Sequence, residues 1–409
     1  MRRFTVAVIF GTRPEGIKLA PVILEMQAAN SELRPLVCVT GQHREMLDQV
    51  LNWFRISADH DLNLMQANQT LAELSARALI SVNKLLGDVK PDAVVIQGDT
   101  TTAAIAGLAA FYLRIPVAHV EAGLRTGDIY SPFPEEVNRR ITGLIAGLHF
   151  APTTRAASAL LAEKVDPNSV FTVGNTVIDA LRLTLDRKAE IETAQGLSGL
   201  NPQNRMVLVT AHRRESFGSP FERICRSIRK LVEQHPDIEV VYPVHLNPNV
   251  RDPVSRILKG TPRIHLIEPT NYQQFVALMS RSYFILTDSG GVQEEAAALG
   301  KPTLIMRDNT ERPEAVAAGT AALVGTEEET ILAKAETLLK GGAEYRNMCH
   351  PTTVFGDGFS GQSICKILRA RLAGDQRPML ELKDDTTNSQ SPLSPGTSRG
   401  PGTATLSQL

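Results

Sequence analysis

The sequence has few cysteines, and their placement excludes two common kinds of stabilised site. The 409 residues contain only Cys38, Cys225, Cys349 and Cys365, and no two of them form a CxxC pair. Neither a structural zinc site nor a disulfide framework is therefore indicated. The four thiols are expected to be small buried side chains.

The chain also lacks a large net charge and a long apolar run. Its 43 Lys and Arg nearly balance 44 Asp and Glu, so the formal net charge is -1. This excludes the broad basic surface that nucleic acid binding uses, and no run is long enough to cross a membrane. The start, MRRFTVAVIF, continues as GTRPEG without the small-residue cleavage site of a signal peptide. A cytoplasmic protein without nucleic acid or membrane partners is predicted.

What the chain does contain is a regular alternation of β-branched runs and helical patterns. The helical patterns include IKLAPVILEMQAA, TLAELSARALISVNKLLG and FERICRSIRKLVEQH. Strands that alternate with helices predict right-handed βαβ units and mainly parallel sheets. The strand candidates are FTVAVIF, LRPLVCVT, AVVIQ, IPVAHV, LHFAP, RMVLVTA, IEVVYPV, RIHLIE, YFILTD and PTLIM.

A chain of 409 residues is too long for one ordinary core, so two domains are expected. We predict an α/β protein with two Rossmann-like, doubly wound domains facing a central cleft. The first domain spans residues 1–172, and the second, nucleotide-binding domain spans 173–354. A helix within 355–374 is expected to pack back on the first domain. The Ser-, Thr-, Pro- and Gly-rich segment 375–409 is expected to be disordered.

Polar residues directly follow several strand candidates, and ligands of open α/β sheets bind at the carboxyl ends of strands. GTRPEGIK places Arg13 and Lys18 around a helix start, where anions are favoured. QGDTTT places Asp99 before an alanine-rich helix, where an N-cap is the alternative. TAHRRES places His212 beside two arginines, and RDNTERPEA places Arg312 in a loop. A structural histidine and solvated surface cations are the alternatives for these residues.

The segment TDSGGVQEEAAALGKP is the most specific single motif. Its strand-to-helix turn of Ser289, Gly290 and Gly291 lets backbone N–H groups approach a diphosphate. Glu294 and Glu295 follow one turn later, where a carboxylate can accept hydrogen bonds from ribose hydroxyls. The pattern is not the GxGxxG fingerprint, which argues against NAD and FAD. A glycine-rich turn at a helix start is the alternative.

Residues 119–140, HVEAGLRTGDIYSPFPEEVNRR, join a strand candidate to a helix through an unusually charged connection. Connections in α/β units are ordinarily about two to six residues long. This one carries Glu121 and Glu135, and Asp99 lies at another strand end. Carboxylates on one domain opposite a phosphate and ribose site on the other predict an enzyme that acts on a sugar nucleotide.

The sequence contains an ordered set of motifs over residues 4–370: GTRPE-IK, QGDTTT, HVEAGLRT, PFPEE-NRR, TAHRRE, TDSGG-QEEA, GKP and ERPEA. In this set and order, the chain resembles the non-hydrolysing UDP-N-acetylglucosamine 2-epimerase family of bacteria. The resemblance implies the GT-B architecture, a homodimer, and neither a metal nor a redox cofactor. It also implies interconversion of UDP-N-acetylglucosamine and UDP-N-acetylmannosamine, which supplies precursors of surface polysaccharides.

The implied reaction is an elimination, because the proton on C2 of the sugar has no adjacent carbonyl to make it acidic. UDP leaves C1 as C2 loses its proton, and UDP then adds back to 2-acetamidoglucal while a proton arrives on the opposite face. By the resemblance, Asp99, Glu121 and Glu135 supply the base and the acid, and which one removes the proton stays open. His212 stands near the departing diphosphate. Arg139, one turn beyond Glu135, orients that carboxylate or forms a surface ion pair.

By the same resemblance, substrate contacts come from both domains. Phe275 has the alternative of a core side chain, since FVALM continues an apolar helix face. Thr270 stands where some members have Gln, which questions a uridine contact of that side chain. The implied substrate-binding residues are Arg13, Lys18, Asp99, Glu121, His212, Phe275, Ser289, Gly290, Gly291, Glu295 and Arg312.

Some members of the family bind a second substrate molecule as an activator beside the active site. The matching positions here are Gln42, Arg44 and His245, with Glu45 in place of a Gln found in some of these members. A network that supports the cleft is the alternative interpretation of these three residues.

Three other functions compete with this interpretation. A GT-B glycosyltransferase would share the nucleotide site but would need an acceptor pocket, and it would not need so many carboxylates. A hydrolysing epimerase would release free N-acetylmannosamine and UDP by capturing the intermediate with water. A catalytically silent sensor of nucleotide sugars would keep SGGVQEE and would have no need of Asp99, Glu121, Glu135 and His212 together.

Overall fold

The computed structural model describes residues 3–41, 44–66, 69–187 and 199–375, with residues 44 and 45 described in their backbone alone. The predicted disordered segment therefore lies outside the described residues, apart from its first position. Within the described ranges, no helix is long and apolar enough to cross a membrane.

The first sheet has seven parallel strands in the order β3-β2-β1-β4-β5-β6-β7. Its central strands β4 and β5 are buried along their whole length, as expected for strands covered by helices on both faces. The strands are β1 (Phe4–Phe10), β2 (Leu33–Val39), β3 (His60–Asp61), β4 (Ala93–Gln97), β5 (Val117–Val120), β6 (Leu148–Ala151) and β7 (Val170–Thr172). We call this sheet and its helices the first lobe.

Helices cover both faces of this sheet, and several begin with a side-chain cap. Thr12 and Thr70 form capping boxes with Glu15 and Glu73, which satisfies backbone donors at the starts of α1 and α3. The helices are α1 (Arg13–Gln27), α2 (Arg44–Phe54), α3 (Leu71–Val89), α4 (Thr101–Tyr112), α5 (Glu135–Ile145), α6 (Thr154–Ala162) and α7 (Thr176–Leu185).

The second sheet has six parallel strands in the order β10-β9-β8-β11-β12-β13, and with its helices it forms the second lobe. The strands are β8 (Arg205–Thr210), β9 (Ile238–Pro243), β10 (Ile264–Ile267), β11 (Phe284–Thr287), β12 (Thr303–Ile305) and β13 (Ala321–Leu323). The helices are α8 (Ser219–Gln234), α9 (Pro248–Leu258), α10 (Tyr272–Arg281), α11 (Gly290–Leu299), α12 (Pro313–Ala317), α13 (Glu328–Leu339) and α14 (Ala343–Met348).

The predicted α/β class with two doubly wound parallel sheets is confirmed, and every strand candidate overlaps a strand. The sequence analysis missed β3, β7 and β13, which lie at sheet edges and have two or three residues each. Strands this short carry no alternation of apolar and polar residues that a pattern could detect.

The chain passes between the lobes at two places that touch each other. The Asn175 amide donates to the Phe355 carbonyl at 2.6 Å. A Cβ atom on Gly174 would lie 2.8 Å from the Cα atom of Gly356, so glycine is required for this close approach. After the second passage, α15 (Ser360–Leu372) packs against α1 of the first lobe.

One apolar core runs through both lobes. It includes Val6 and Val8 of β1, Val177 of α7 and Val276 of α10. Helix α7 contacts α1 of the first lobe and α10 and α11 of the second, so it lies between the lobes. The four cysteines are free thiols, and Cys38, Cys225 and Cys365 are buried as predicted, whereas Cys349 is half-buried.

Candidate active site

A cleft of about 630 Å³ lies between the carboxyl ends of the two sheets. Every predicted site residue whose side chain the structure describes lines it, except Glu294. Gln42 lies outside the described residues, and Arg44 is described in its backbone alone. The lining residues that the sequence analysis predicted are Arg13, Lys18, Asp99, Glu121, Glu135, Arg139, His212, His245, Phe275, Ser289, Gly290, Gly291, Glu295 and Arg312.

The turn between β1 and α1 is fixed by the buried carboxylate of Glu15. It accepts hydrogen bonds from the Gly11 and Thr12 amides at 3.1 and 2.8 Å. Its second oxygen accepts from the Thr100 hydroxyl at 2.7 Å, which ties this turn to the end of β4. Held in this turn, Arg13 donates from Nη1 to the Thr270 carbonyl at 2.9 Å across the cleft.

Asp99 is directed into the cleft because its neighbour caps the following helix. The Thr100 side chain accepts from the Ala103 amide, so the alternative that Asp99 is the N-cap of α4 is wrong. The Asp99 carboxylate instead pairs with Arg139, whose Nη2 and Nε lie 2.7 and 2.9 Å from Oδ2.

Glu121 follows β5 with a positive φ of 63°, which turns its side chain toward α1 and the second lobe. Lys18 Nζ lies 2.6 and 2.7 Å from its two carboxylate oxygens, and Gln97 and Asn175 also donate to it. Burial alone would raise the pKa of Glu121, but the charges of Lys18 and Arg312 outweigh it and lower the pKa to about 2. Glu121 is therefore ionised and surrounded by donors.

Glu135 is the first residue of α5, and its Oε2 is buried without a hydrogen-bond partner among the described residues. The adjacent Glu136 is structural, since it accepts from the Thr126 amide at 3.1 Å and from Arg139 at 3.2 Å. The prediction that Arg139 orients Glu135 is wrong, because the guanidinium turns to Asp99 and Glu136. Glu135 lines the cleft, and no described residue binds this carboxylate oxygen.

His212 is held through its backbone, which leaves its ring facing the cleft. The amides of His212 and Arg213 donate to Oδ2 of buried Asp288 at 2.6 and 2.7 Å. The imidazole stacks on that of His245, with ring centroids 5.4 Å apart. Burial lowers the pKa of His212 and outweighs the opposing effect of Asp288, so the ring is neutral near pH 7.

The second lobe presents the start of α11, with Ser289 as its N-cap residue. The two glutamates of this helix differ in position. Glu294 is fully buried and binds Arg312 and Asn175, whereas Glu295 lines the cleft. The Tyr272 hydroxyl donates to Glu295 at 2.9 Å, and burial raises the pKa of Glu295 to about 7.

The sequence analysis missed several residues of this site. Glu311 lies 3.3 Å from Arg139 and 3.7 Å from Arg312, so it joins cations of the two lobes. It belongs to the ERPEA motif, which was the available signal. Gln97 and Asn175 donate to Glu121 from the end of β4 and the start of α7. Gln97 begins the QGDTTT motif, whereas Asn175 belongs to no motif of the sequence analysis.

The two walls of the cleft have complementary chemistry. The first lobe supplies carboxylates that can exchange protons with a ligand. The second lobe supplies a helix N-terminus and cations, which favour an anionic group such as a diphosphate. Among the described residues, no group of three or more His, Cys, Asp or Glu is placed to hold a metal ion.

Comparison with known proteins gives consistent matches over most of the chain. The family profile described as UDP-N-acetylglucosamine 2-epimerase matches residues 25–369. The UDP-N-acetylglucosamine 2-epimerase of Yersinia pestis is 52% identical over 369 residues, which cover 89% of this chain and 98% of that protein. The one of Escherichia coli K12 is 51% identical over 370 residues, covering 89% of this chain and 97% of that protein. The crystal structure of UDP-GlcNAc 2-epimerase from Neisseria meningitidis bound to UDP-GlcNAc has a TM-score of 0.85 and 47% identity, covering 89% of this chain and 99% of that one.

Proposed function

The chain belongs to the UDP-N-acetylglucosamine 2-epimerase family and is an isomerase, and on this basis we propose that it interconverts UDP-N-acetylglucosamine and UDP-N-acetylmannosamine without hydrolysis. The reaction proceeds by elimination of UDP to 2-acetamidoglucal and re-addition of UDP to C1, while C2 takes up a proton on the face opposite to the one that lost it. The product supplies precursors of surface polysaccharides, and the cytoplasmic location predicted from the sequence is part of the same proposal.

The observation that carries this proposal is the placement of Asp99, Glu121 and Glu135 on one wall of the cleft, opposite the start of α11. Inversion at C2 needs a base on one face of the sugar and an acid on the other. Elimination also needs stabilisation of the charge that develops on the departing diphosphate. A glycosyltransferase needs the second feature without the first.

The hydrogen bonds of the three carboxylates suggest different roles for them in the reaction. Glu121 is ionised and accepts from Lys18, Gln97 and Asn175, so we assign it to charge stabilisation and to the placement of Lys18. Proton transfer then falls to Asp99 and Glu135. Glu135 has a buried oxygen without a partner among the described residues, and Asp99 forms an ion pair with Arg139.

Departure of UDP is supported by groups of the second lobe. The Ser289, Gly290 and Gly291 turn places a helix N-terminus at the cleft, and Arg213 and Arg312 line it. His212, neutral near pH 7, donates a hydrogen bond to the leaving diphosphate. Glu295, which accepts from the Tyr272 hydroxyl, accepts hydrogen bonds from the ribose hydroxyls.

The activator site implied by the family resemblance stays part of the proposal. His245 lines the cleft and stacks on His212, so a ligand at His245 would contact the ring proposed to assist departure of UDP.

A homodimer is also proposed, and its interface is placed on the outer face of α3, α4 and α5. Helix α4, TTAAIAGLAAFY, has no charged residue, although an outer-layer helix ordinarily has a charged solvent face. The large exposed apolar side chains of this face are Ile80, Phe111, Tyr112, Ile141 and Leu144. A second copy of the chain would cover this patch.

Proton NMR of UDP-N-acetylglucosamine incubated with the protein in heavy water tests the reaction, without an acceptor or added metal. The expected product is UDP-N-acetylmannosamine with deuterium at C2, because the proton lost from C2 is replaced from solvent. Free N-acetylmannosamine and UDP would indicate a hydrolysing enzyme. An unchanged spectrum over a range of substrate concentrations would contradict the proposal and favour a transferase or a silent binder.

A further inference from the structure

Asn175 lies where the chain leaves the first sheet, between β7 and α7, and it is only 1% exposed. Its side-chain oxygen accepts from the Val177 amide at 3.2 Å and caps α7. This contact identifies the other end of the side chain as the NH₂ group, which points away from the helix.

That NH₂ group donates to two carboxylates that belong to different lobes. Asn175 Nδ2 lies 2.9 Å from Oε1 of Glu121 and 2.7 Å from Oε2 of Glu294. An amide has two N–H bonds, so one nitrogen can serve both acceptors. Each acceptor is buried, and a buried carboxylate that loses a donor is destabilised.

The charges around this nitrogen are balanced only if the residue is neutral. Lys18 pairs with Glu121, and Arg312 pairs with Glu294 and lies 3.5 Å from Glu121. Two carboxylates therefore face two cations. An aspartate at this position would cap the helix equally well, but it would add a third buried negative charge.

The same contacts reach the turn proposed to bind the diphosphate. The Arg312 guanidinium carbon lies 3.9 Å from the position of a Cβ atom on Gly290. We propose that Asn175 is a positioning residue that joins Glu121 of the first lobe to Glu294 and Arg312 of the second, so that the reactive carboxylates and the diphosphate turn keep a fixed separation. This inference rests on the proposed epimerase function of the cleft.

We call the hydrogen bonds from Asn175 to Glu121 and Glu294 the bridge. Two substitutions test the bridge separately from the helix cap that Asn175 also forms. Serine and aspartate both cap helices as well as asparagine, so Asn175→Ser and Asn175→Asp keep the contact with α7. Asn175→Ser removes the bridging donor, and Asn175→Asp replaces it with a carboxyl group. Thr70→Asp is the matched control, because Thr70 caps α3 at the surface and lies outside the cleft lining.

The first readout is the pH dependence of kcat/KM for epimerisation. At pH 8 both Asn175 variants are expected to lose about 10- to 100-fold, the effect of an unsatisfied buried acceptor. The two neighbouring carboxylates and the cations Lys18 and Arg312 offset each other, so burial raises the pKa of the introduced carboxyl group. The group becomes a donor when it is protonated. Activity of Asn175→Asp should therefore recover several-fold between pH 8 and pH 6, whereas Asn175→Ser should not recover.

The second readout, amide hydrogen exchange of the unliganded protein, does not depend on activity. The bridge predicts faster exchange in Asn175→Ser both in peptides that contain Glu121 and in peptides that contain Glu294, with no change there in Thr70→Asp. If this is seen while the wild-type protein does not epimerise, the bridge stands and the proposed function is wrong. Three results would each overturn the bridge. The first is a wild-type kcat/KM in both Asn175 variants, and the second is a loss in Asn175→Asp that is equal at pH 6 and pH 8. The third is faster exchange confined to α7.

Discussion

At the scale of single residues, Asp99 and Glu135 are the carboxylates whose loss should stop proton transfer. Asp99→Asn and Glu135→Gln keep the shape of each side chain and remove its basicity, so each should lower kcat by about 10²- to 10⁴-fold. Exchange of the C2 proton with heavy water should fall together with turnover, because both need the same transfer. Steady-state kinetics and proton NMR on the same samples measure the two effects.

Glu163→Gln is the matched control for this pair. Glu163 binds Arg125 of the same charged connection at 2.7 Å but does not line the cleft, so its loss should leave kcat unchanged. Exchange at C2 that continues at the wild-type rate in Glu135→Gln would refute the assignment of proton transfer to that residue.

His119 gives a prediction about pH and stability. It is fully buried, and Nε2 lies 2.7 Å from the Gly98 carbonyl. Burial lowers the pKa of His119 from 6.5 to about 4. The unfolded chain binds this proton near pH 6.5 and the folded protein only near pH 4, so stability is full above about pH 6.5 and is lost as the pH falls toward 4. The loss from this group approaches ~3 kcal/mol.

Urea denaturation at pH 8 and pH 5 measures this contribution when wild type is compared with His119→Asn. The variant cannot take up the proton, so its free energy of unfolding should fall less between the two pH values. Equal decreases in wild type and variant would show that His119 does not contribute.

The identities of site residues were accessible from the sequence, but their pairings were not. Asp99, Glu121 and His212 each follow a strand, and parallel strands bring their carboxyl ends to one edge. Arg139 shows the limit of this reasoning: helical spacing suggested Glu135 as its partner, whereas it binds Asp99, which is distant in sequence. Asn175 had no signal, because its importance comes from two carboxylates that only the folded chain brings together.

At the scale of secondary structure elements, the turn before α1 should be the most sensitive connection of the first lobe. Glu15→Ala leaves the Gly11 and Thr12 amides and the Thr100 hydroxyl without their buried acceptor. We expect a loss of about 2–4 kcal/mol in the free energy of unfolding. A lower kcat should accompany it, because Thr100 adjoins Asp99.

Glu73→Ala tests whether this sensitivity is a general property of capping boxes. Glu73 makes the same capping contacts with Thr70 at an exposed helix start. Its removal should cost only about 0.5–1 kcal/mol and leave kcat unchanged. Equal losses of stability in the two variants, measured by denaturant unfolding, would show that the link from Glu15 to Thr100 adds nothing.

The strands were predicted best where nearly every residue of the segment is apolar and buried. Strands β1, β4, β8 and β11 are nearly continuous apolar runs, so their position is evident from the sequence. The edge strands β3 and β13 are defined by hydrogen bonds to a neighbouring strand rather than by their own composition. Such strands follow from the completed sheet and not from a local pattern.

At the scale of the whole molecule, the proposed dimer interface on α3, α4 and α5 can be tested by a single substitution. Leu144 is 88% exposed and lies on α5, which packs against α4. A glutamate there would bring a charge into the proposed interface between two copies, and unpaired buried charges are strongly unfavourable. Leu144→Glu should therefore convert a dimer into a monomer at micromolar concentration, as measured by sedimentation equilibrium.

Leu161→Glu provides the comparison, since Leu161 is an exposed leucine of α6, outside this face. It should leave the dimer intact, so an effect of Leu144→Glu cannot be ascribed to added charge alone. The binding residues named above lie together on one chain, and the monomer should therefore keep them. Retained UDP binding by a monomeric Leu144→Glu variant would place dimerisation outside the active site, whereas a wild-type monomer or a dimeric Leu144→Glu variant would refute this interface.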